Sequence, residues 1–141
     1  MINQLFIREK LDKIKVYYQE LEDILKYSLK EIKADHIKYH AAERLLQLIV
    51  DEMLDVNNHL ILKLDLESPD DFQSTFKILA EGKILPEEFA QKIAPVVGLR
   101  NRLVHRYEKI DLDFTIKQII KEKEDFKKYC LLIEKYISKI K

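Results

Sequence analysis

An all-α fold, an up-and-down bundle of four to five helices, follows from three features of this chain. Only two glycines and three prolines occur in 141 residues, so few positions invite turns. Leu, Ile, Lys and Glu are abundant, the composition of long amphipathic helices. Apolar residues also recur at steps of three and four over long stretches, which is helical rather than strand periodicity. The length suits one domain spanning 1–141, able to bury about two-thirds of its unfolded surface.

Ile7, Leu11, Ile14, Tyr18, Leu21, Leu25, Leu29 and Ile32 form one apolar seam, predicting a first helix from near the N-terminus to about Ala34. A second, from about His36 to Leu64, carries Leu45, Leu48, Ile49, Met53, Val56, Leu60 and Leu64. The short connection between the two predicts antiparallel packing. Ser68-Pro69-Asp70-Asp71 reads as a helix start, with Ser68 as N-cap, Pro69 at the first helical position and acids in the first turn. Phe72, Phe76 and Leu79 would be its apolar face, and Gly82 its end. Pro86-Glu87-Glu88 starts another helix with Phe89 and Ile93. Pro95 lacks a donor and restricts Ala94, so a break belongs there. Val96 resumes the helix through Arg100–Tyr107. Asp111 caps the last helix, whose Ile116, Ile119, Ile120, Phe126, Cys130, Ile133, Ile137 and Ile140 keep helical spacing.

Charge narrows the function. Lys+Arg and Asp+Glu balance at 25 each, so no overall field drives the protein onto nucleic acid or membrane. Any RNA affinity must come from a local patch or from oligomer geometry. Cys130, the single cysteine, excludes an intramolecular disulfide, and its apolar neighbours suit an inert buried thiol. No signal-peptide apolar region or transmembrane stretch is evident, so a cytoplasmic protein without membrane association is expected.

The chemistry concentrates in Arg100-Asn101-Arg102-Leu103-Val104-His105-Arg106-Tyr107. Arg100 is a permanent cation with a planar fork of donors, and His105 exchanges a proton near neutral pH. Tyr107 adds a phenolic hydroxyl. On a helix Arg100 and Tyr107 share a face, about 20° apart, whereas Arg100 and His105 diverge by about 140°. Asn101 and His105 are an i,i+4 pair, so Asn101 is expected to hold the imidazole. A two-fold homodimer with facing motif helices would bring Arg100 and His105 together better than one helix. Such parts suit metal-independent RNA cleavage. Arg100 would stabilise phosphate charge, His105 would move a proton, and Arg102 and Arg106 would add phosphate affinity without reading sequence.

Other candidates carry plainer readings. His36 and His40 have a metal-compatible spacing, but no Glu follows His36, so a solvated helix start is expected and no metal or cofactor. His59 is expected to pair with Asp55. Arg44 reaches the active surface or pairs with Glu43 or Glu52, in a structural or partner-contact role. The lysines of the last helix alternate with acids, the pattern of a solvated face.

Two stretches, Phe76-Lys77-Ile78-Leu79-Ala80-Glu81 and Gly98-Leu99 leading into the Arg100–Tyr107 segment, closely resemble the HEPN-domain toxins of the HepT type. Ala42-Glu43-Arg44-Leu45-Leu46-Gln47 and Asp55-Val56-Asn57-Asn58-His59 resemble the same family. The resemblance covers nearly the whole chain. It implies a homodimeric HEPN-like helical ribonuclease, the toxin of a toxin–antitoxin pair whose antitoxin is a minimal nucleotidyltransferase. The family's catalytic Arg and His fall on Arg100 and His105, and the tyrosine that the antitoxin modifies with AMP falls on Tyr107. The competing expectation is a non-catalytic helical module that positions the nucleotidyltransferase or its nucleotide. His105 is essential only in the first case.

Overall fold

The computed structural model describes residues 1–105 and 111–140, the side chain of His105 excepted. Helix α1 (Gln4–Leu25) starts on Asn3, whose side chain accepts a hydrogen bond from the Phe6 N–H. It buries Ile7, Leu11, Ile14, Tyr18 and Leu21, the predicted seam. That seam does not run to Ala34 in one helix. The chain turns after Leu25 and restarts as α2 (Leu29–Ala34) on a capping box. Ser28 Oγ accepts from the Glu31 N–H and the Glu31 carboxylate accepts from the Ser28 N–H, both at 3.1 Å. Those local partners satisfy donors that a continuous helix would have bonded along its axis, so the break costs little. Helix α3 (His36–Lys63) begins as expected, with Asp35 accepting from the Ile37 and Lys38 N–H groups.

The predicted helix start at Ser68 moves. The chain stays non-helical there, and α4 spans Ser74–Glu81, with Asp71 Oδ1 accepting from the Ser74 N–H at 2.7 Å. Phe72 therefore precedes the helix instead of lying on its apolar face and is 53 % exposed, while Phe76 and Leu79 are buried. Gly82 ends α4, as expected. The left-handed residue, however, is Lys83 (φ 66°). Helix α5 (Glu87–Ile93) follows Pro86, and α6 (Val96–His105) resumes after Pro95, whose carbonyl accepts from the Gly98 and Leu99 N–H groups. Helix α7 (Leu112–Ser138) is capped by Asp111.

These segments form four legs, up, down, up and down. Asn3 meets His59 and Lys10 meets Asp55, so α1 runs against α3. Asn57 bonds Thr75 and Asp51 bonds Arg100, so α4, α5 and α6 together return along α3 as the third leg. Phe76 packs on Tyr129 and Arg102 on Phe114, so α7 descends beside that leg. Among the described residues no helix is long and apolar enough to cross a membrane.

The core is mostly apolar, but a polar chain crosses it, while Glu43, Glu52, Thr115 and Asp125 are buried as well. Tyr129 Oη donates to Asn57 Oδ1 at 2.6 Å, Asn57 Nδ2 donates to Thr75 Oγ1 at 3.0 Å, and Thr75 Oγ1 donates to the Phe72 carbonyl at 2.7 Å. Asn57, Thr75 and Tyr129 are fully buried, so satisfaction of each group is what makes their burial tolerable. Cys130 is buried too, and burial pushes its thiol up to about 12, which suits the inert role expected of it.

His59 does not pair with Asp55. Asp55 is held by Lys10 at 2.8 Å, while His59 Nε2 accepts from the Asn3 N–H at 3.0 Å and its ring stacks on Phe6. The α1 cap thus needs a neutral imidazole. Burial, and then Lys63, hold its pKa below the ordinary histidine value. In the unfolded chain the ring titrates at about 6.5. The stabilisation is therefore present above that pH and is lost as pH falls below it, toward the depressed folded pKa. Melting temperature is expected to drop between pH 7.5 and 5.5, and to drop less in His59→Gln, whose amide oxygen still accepts the bond.

Candidate functional site

The motif sits on α6, where the third leg crosses the middle of α3. Leu99 and Leu103 face the core, 4 % and 1 % exposed, which fixes the rotation of the helix. Arg100 is thereby turned along α3. Its Nε donates to Asp51 Oδ1 at 3.0 Å, and one terminal nitrogen stands 2.9 Å from the same oxygen. Nη1 donates to Asn101 Oδ1 at 3.1 Å. The guanidinium is clamped by one edge, and among the described residues its remaining N–H donors have no partner.

Asp51 was not among the residues picked out by sequence. It lies 49 positions before Arg100, and no local pattern links the two. A signal does exist on α3 itself. Arg44, Asp51 and Asn58 are spaced by sevens, a polar stripe about 20° off a straight line on a helix that is otherwise largely apolar. Arg44 pairs with neither Glu43 nor Glu52, for its Nη1 donates to Gln47 at 3.2 Å. Glu52 is engaged by Lys10.

The other candidates divide. Asn101, expected to hold the imidazole, has its carboxamide oxygen on Arg100. Arg102 places its guanidinium over the Phe114 ring, 5.5 Å from the centroid, a cation–π contact that ties α6 to α7 and keeps the charge at the surface. His105 is the last residue of α6, and its side chain lies outside the described residues, as do Arg106 and Tyr107 entirely. Gly98, on the same stripe of α6 as Asn101 and His105, has nothing within 4 Å of where a Cβ would stand. No described residue requires a glycine there, and the space beside it is open.

Away from α6 the chemistry is structural. His40 Nδ1 is 2.9 Å from the buried Glu43, beside the stacked His36 ring. On α7, Lys123 pairs with Glu22 at 2.8 Å, and Lys127 and Lys128 lie over the Tyr18 and Phe89 rings. These lysines fasten the last helix to its neighbours and form no cationic track.

Residues 14–133 match the family model described as Ribonuclease HepT-like. A tRNA nuclease HepT of Aphanizomenon flos-aquae is 34% identical over 137 residues, covering 96% of this chain and 92% of the relative. An mRNA nuclease HepT of Shewanella oneidensis is 27% identical over 89 residues, 63% of this chain and 67% of that one. In structure the chain is similar to the tri-AMPylated Shewanella oneidensis HEPN toxin solved in complex with an MNT antitoxin. The TM-score is 0.84 at 23% identity, over 92% of this chain and 96% of that one.

The Arg100–Asp51 pair can be tested alone. Its side chains are 22% and 38% exposed, so its coupling is expected to be modest, about 0.5–1 kcal/mol. A double-mutant cycle on Asp51→Ala and Arg100→Ala, read by denaturant midpoints, measures it. Zero coupling would mean that Asp51 does not hold the arginine in solution.

Proposed function

The chain belongs to the HepT-like ribonuclease family, and on that premise we propose that it is the toxin of a toxin–antitoxin pair, cutting RNA with Arg100 and His105. The observation that carries this reading is the clamp on Arg100. An arginine on a surface helix normally samples many rotamers. This one is held by Asp51 and Asn101, and its other donors meet no described residue, which lowers the cost of orienting it toward a phosphate.

The reaction needs no group beyond those of the chain and the substrate. A ribose 2′-hydroxyl attacks the adjacent phosphorus while the bond to the departing 5′-oxygen breaks, leaving a 2′,3′-cyclic phosphate and a 5′-hydroxyl. Charge accumulates on the non-bridging oxygens, where Arg100 donates. His105 either takes the 2′-hydroxyl proton or supplies one to the 5′-oxygen. Arg102 and Arg106 bind flanking phosphates. The span 1–141 acts as one domain in the cytoplasm.

Two copies complete the site. Ideal helix geometry separates positions 100 and 105 by about 140°, and a partner with its own α6 facing this one brings arginine and histidine of different protomers together. The open face at Gly98 supports that arrangement. A glycine inside a helix costs up to about 1 kcal/mol relative to alanine, and close approach of a second backbone is a use that offsets the cost.

The antitoxin is a minimal nucleotidyltransferase that transfers AMP from ATP to Tyr107. The phenolic oxygen attacks the α-phosphorus and pyrophosphate leaves. Similarity to a tri-AMPylated toxin supports this reading. AMP at Tyr107 puts a phosphate where RNA phosphate must lie, and Arg100 binds the attached group instead of substrate.

His105→Ala is expected to lower RNA cleavage by roughly 10²–10⁴-fold with the circular dichroism spectrum unchanged. Arg100→Lys also fails, because a point charge cannot reproduce the fork. EDTA leaves the rate unaltered. Full activity in His105→Ala would favour a non-catalytic binding module.

For Tyr107, incubation with the neighbouring nucleotidyltransferase and ATP is expected to add AMP mass and silence cleavage, while Tyr107→Phe stays folded and escapes. Neutralisation of the Phe variant as complete as that of the parent would mean that inhibition works by complex formation.

A further inference from the structure

Beside the motif lies an open cleft of about 470 Å³, walled by α3, the segment before α4, and α6. Its size falls within the roughly 300–1,000 Å³ of small-ligand sites. Asn58, Asp70, Phe72, Gln73 and Asn101 are among its lining residues. We propose that this cleft receives the base of a nucleotide next to the scissile phosphate, with Phe72 as the stacking surface and Asp70 selecting bases that carry an exocyclic amine. The proposal rests on the ribonuclease reading and adds a specificity site to it.

The first observation is Phe72 itself. It is a large apolar ring left 53 % exposed in the wall of a cleft otherwise lined largely by polar side chains. Unpaired bases in RNA are recognised by stacking on such rings and by hydrogen bonds to their edges.

The second, independent observation is how Phe72 is held. The Tyr129–Asn57–Thr75 chain, wholly buried, ends at the Phe72 carbonyl. The Thr75 N–H donates to the same oxygen at 3.3 Å. A loop residue with an exposed ring is thus fixed to the centre of the bundle, so a base that lands on it meets a platform whose backbone is already ordered.

The polar lining points to a base edge and away from a phosphate. Among the described residues, the side chains of Asn58, Asp70 and Gln73 make no hydrogen bond or ion pair. The two amides can each donate and accept. The Asp70 carboxylate only accepts, and it repels a phosphate. An exocyclic amine of adenine, cytosine or guanine satisfies it, whereas uracil has no amine and its N3–H is flanked by two carbonyls that oppose a carboxylate. Asn101 joins the two subsites. It lines the cleft, and its Oδ1 accepts from Arg100, so a base in the cleft would sit next to the phosphate that Arg100 binds.

The test uses the full chain and an RNA library randomised around the cut, with base frequencies read at each position. The parent is expected to prefer A, C or G over U at one position adjacent to the cut. Phe72→Ala should lower kcat/KM about tenfold and flatten that preference, while still leaving a 2′,3′-cyclic phosphate. Phe72→Tyr should restore both. Asp70→Asn should lower kcat/KM on the favoured base and raise it on U, so that the preference narrows. Because Phe72 is exposed, a matching melting temperature separates these effects from misfolding. An unchanged preference in Phe72→Ala and Asp70→Asn would overturn the base site and leave the nuclease standing. So would Phe72→Ala that cleaves normally but no longer binds the antitoxin, since the cleft would then be a protein face. A parent that cuts no RNA would remove the nuclease reading, and this proposal with it.

Discussion

Helix α3 has to satisfy two demands with one sequence, and the rest of the molecule is arranged around how it does so. Its apolar residues, among them Leu46, Ile49, Met53, Val56 and Leu60, are completely buried against the surrounding legs. Its stripe of Arg44, Asp51 and Asn58 must meanwhile stay wet enough to receive polar partners. The third leg makes both possible by being broken. A single straight helix returning along α3 would keep one rotation throughout. Three short helices, separated at Gly82 and Pro95, let α4 bury Phe76 and α6 present Arg100 to Asp51.

The same division explains what could be read from sequence. Burial leaves a periodic trace, so α1, α3 and α7 and most of their seams were legible, although Ile120, counted on the α7 seam, is 43 % exposed, and Pro95 marked its break through a missing donor. The interruption after Leu25 was hidden because Leu25, Leu29 and Ile32 continue the seam across it. Its real signal was Ser28 with Glu31, a capping box inside an apolar pattern. Ser68-Pro69 misled for the opposite reason, since its local chemistry fits a helix start but Asp71 caps Ser74 a few residues later. At the site, the type of chemistry could be read from Arg100 and its neighbours. Asp51 showed only as one member of the polar stripe on α3, because tertiary packing alone pairs it with an arginine 49 positions away.

Asp51 also carries a cost that bears on how such a site works. A carboxylate 2.9 Å from the guanidinium orients it but cancels much of its field. With 25 basic and 25 acidic residues, the molecule has no net charge to recruit RNA from a distance. Arg100 is thus better suited to stabilising charge that develops at a phosphate already in place than to attracting one. Stabilisation reserved for the transition state raises turnover more than ground-state affinity does.

Affinity for RNA must then be gathered from contacts that do not depend on net charge. Stacking is one, since every base offers a π-face whatever the ionic strength. Cations displayed at the surface are another, and Arg102 over Phe114 is held there by a contact that leaves its charge intact. Duplication is a third. The proposed two-fold pair would present each of these contacts twice along one substrate, and linking them raises avidity with no new interaction. On the proposed reading, AMP attached at Tyr107 acts as a brake on that scheme. It need not compete with a strong field, only occupy one arginine whose orientation the fold has already fixed.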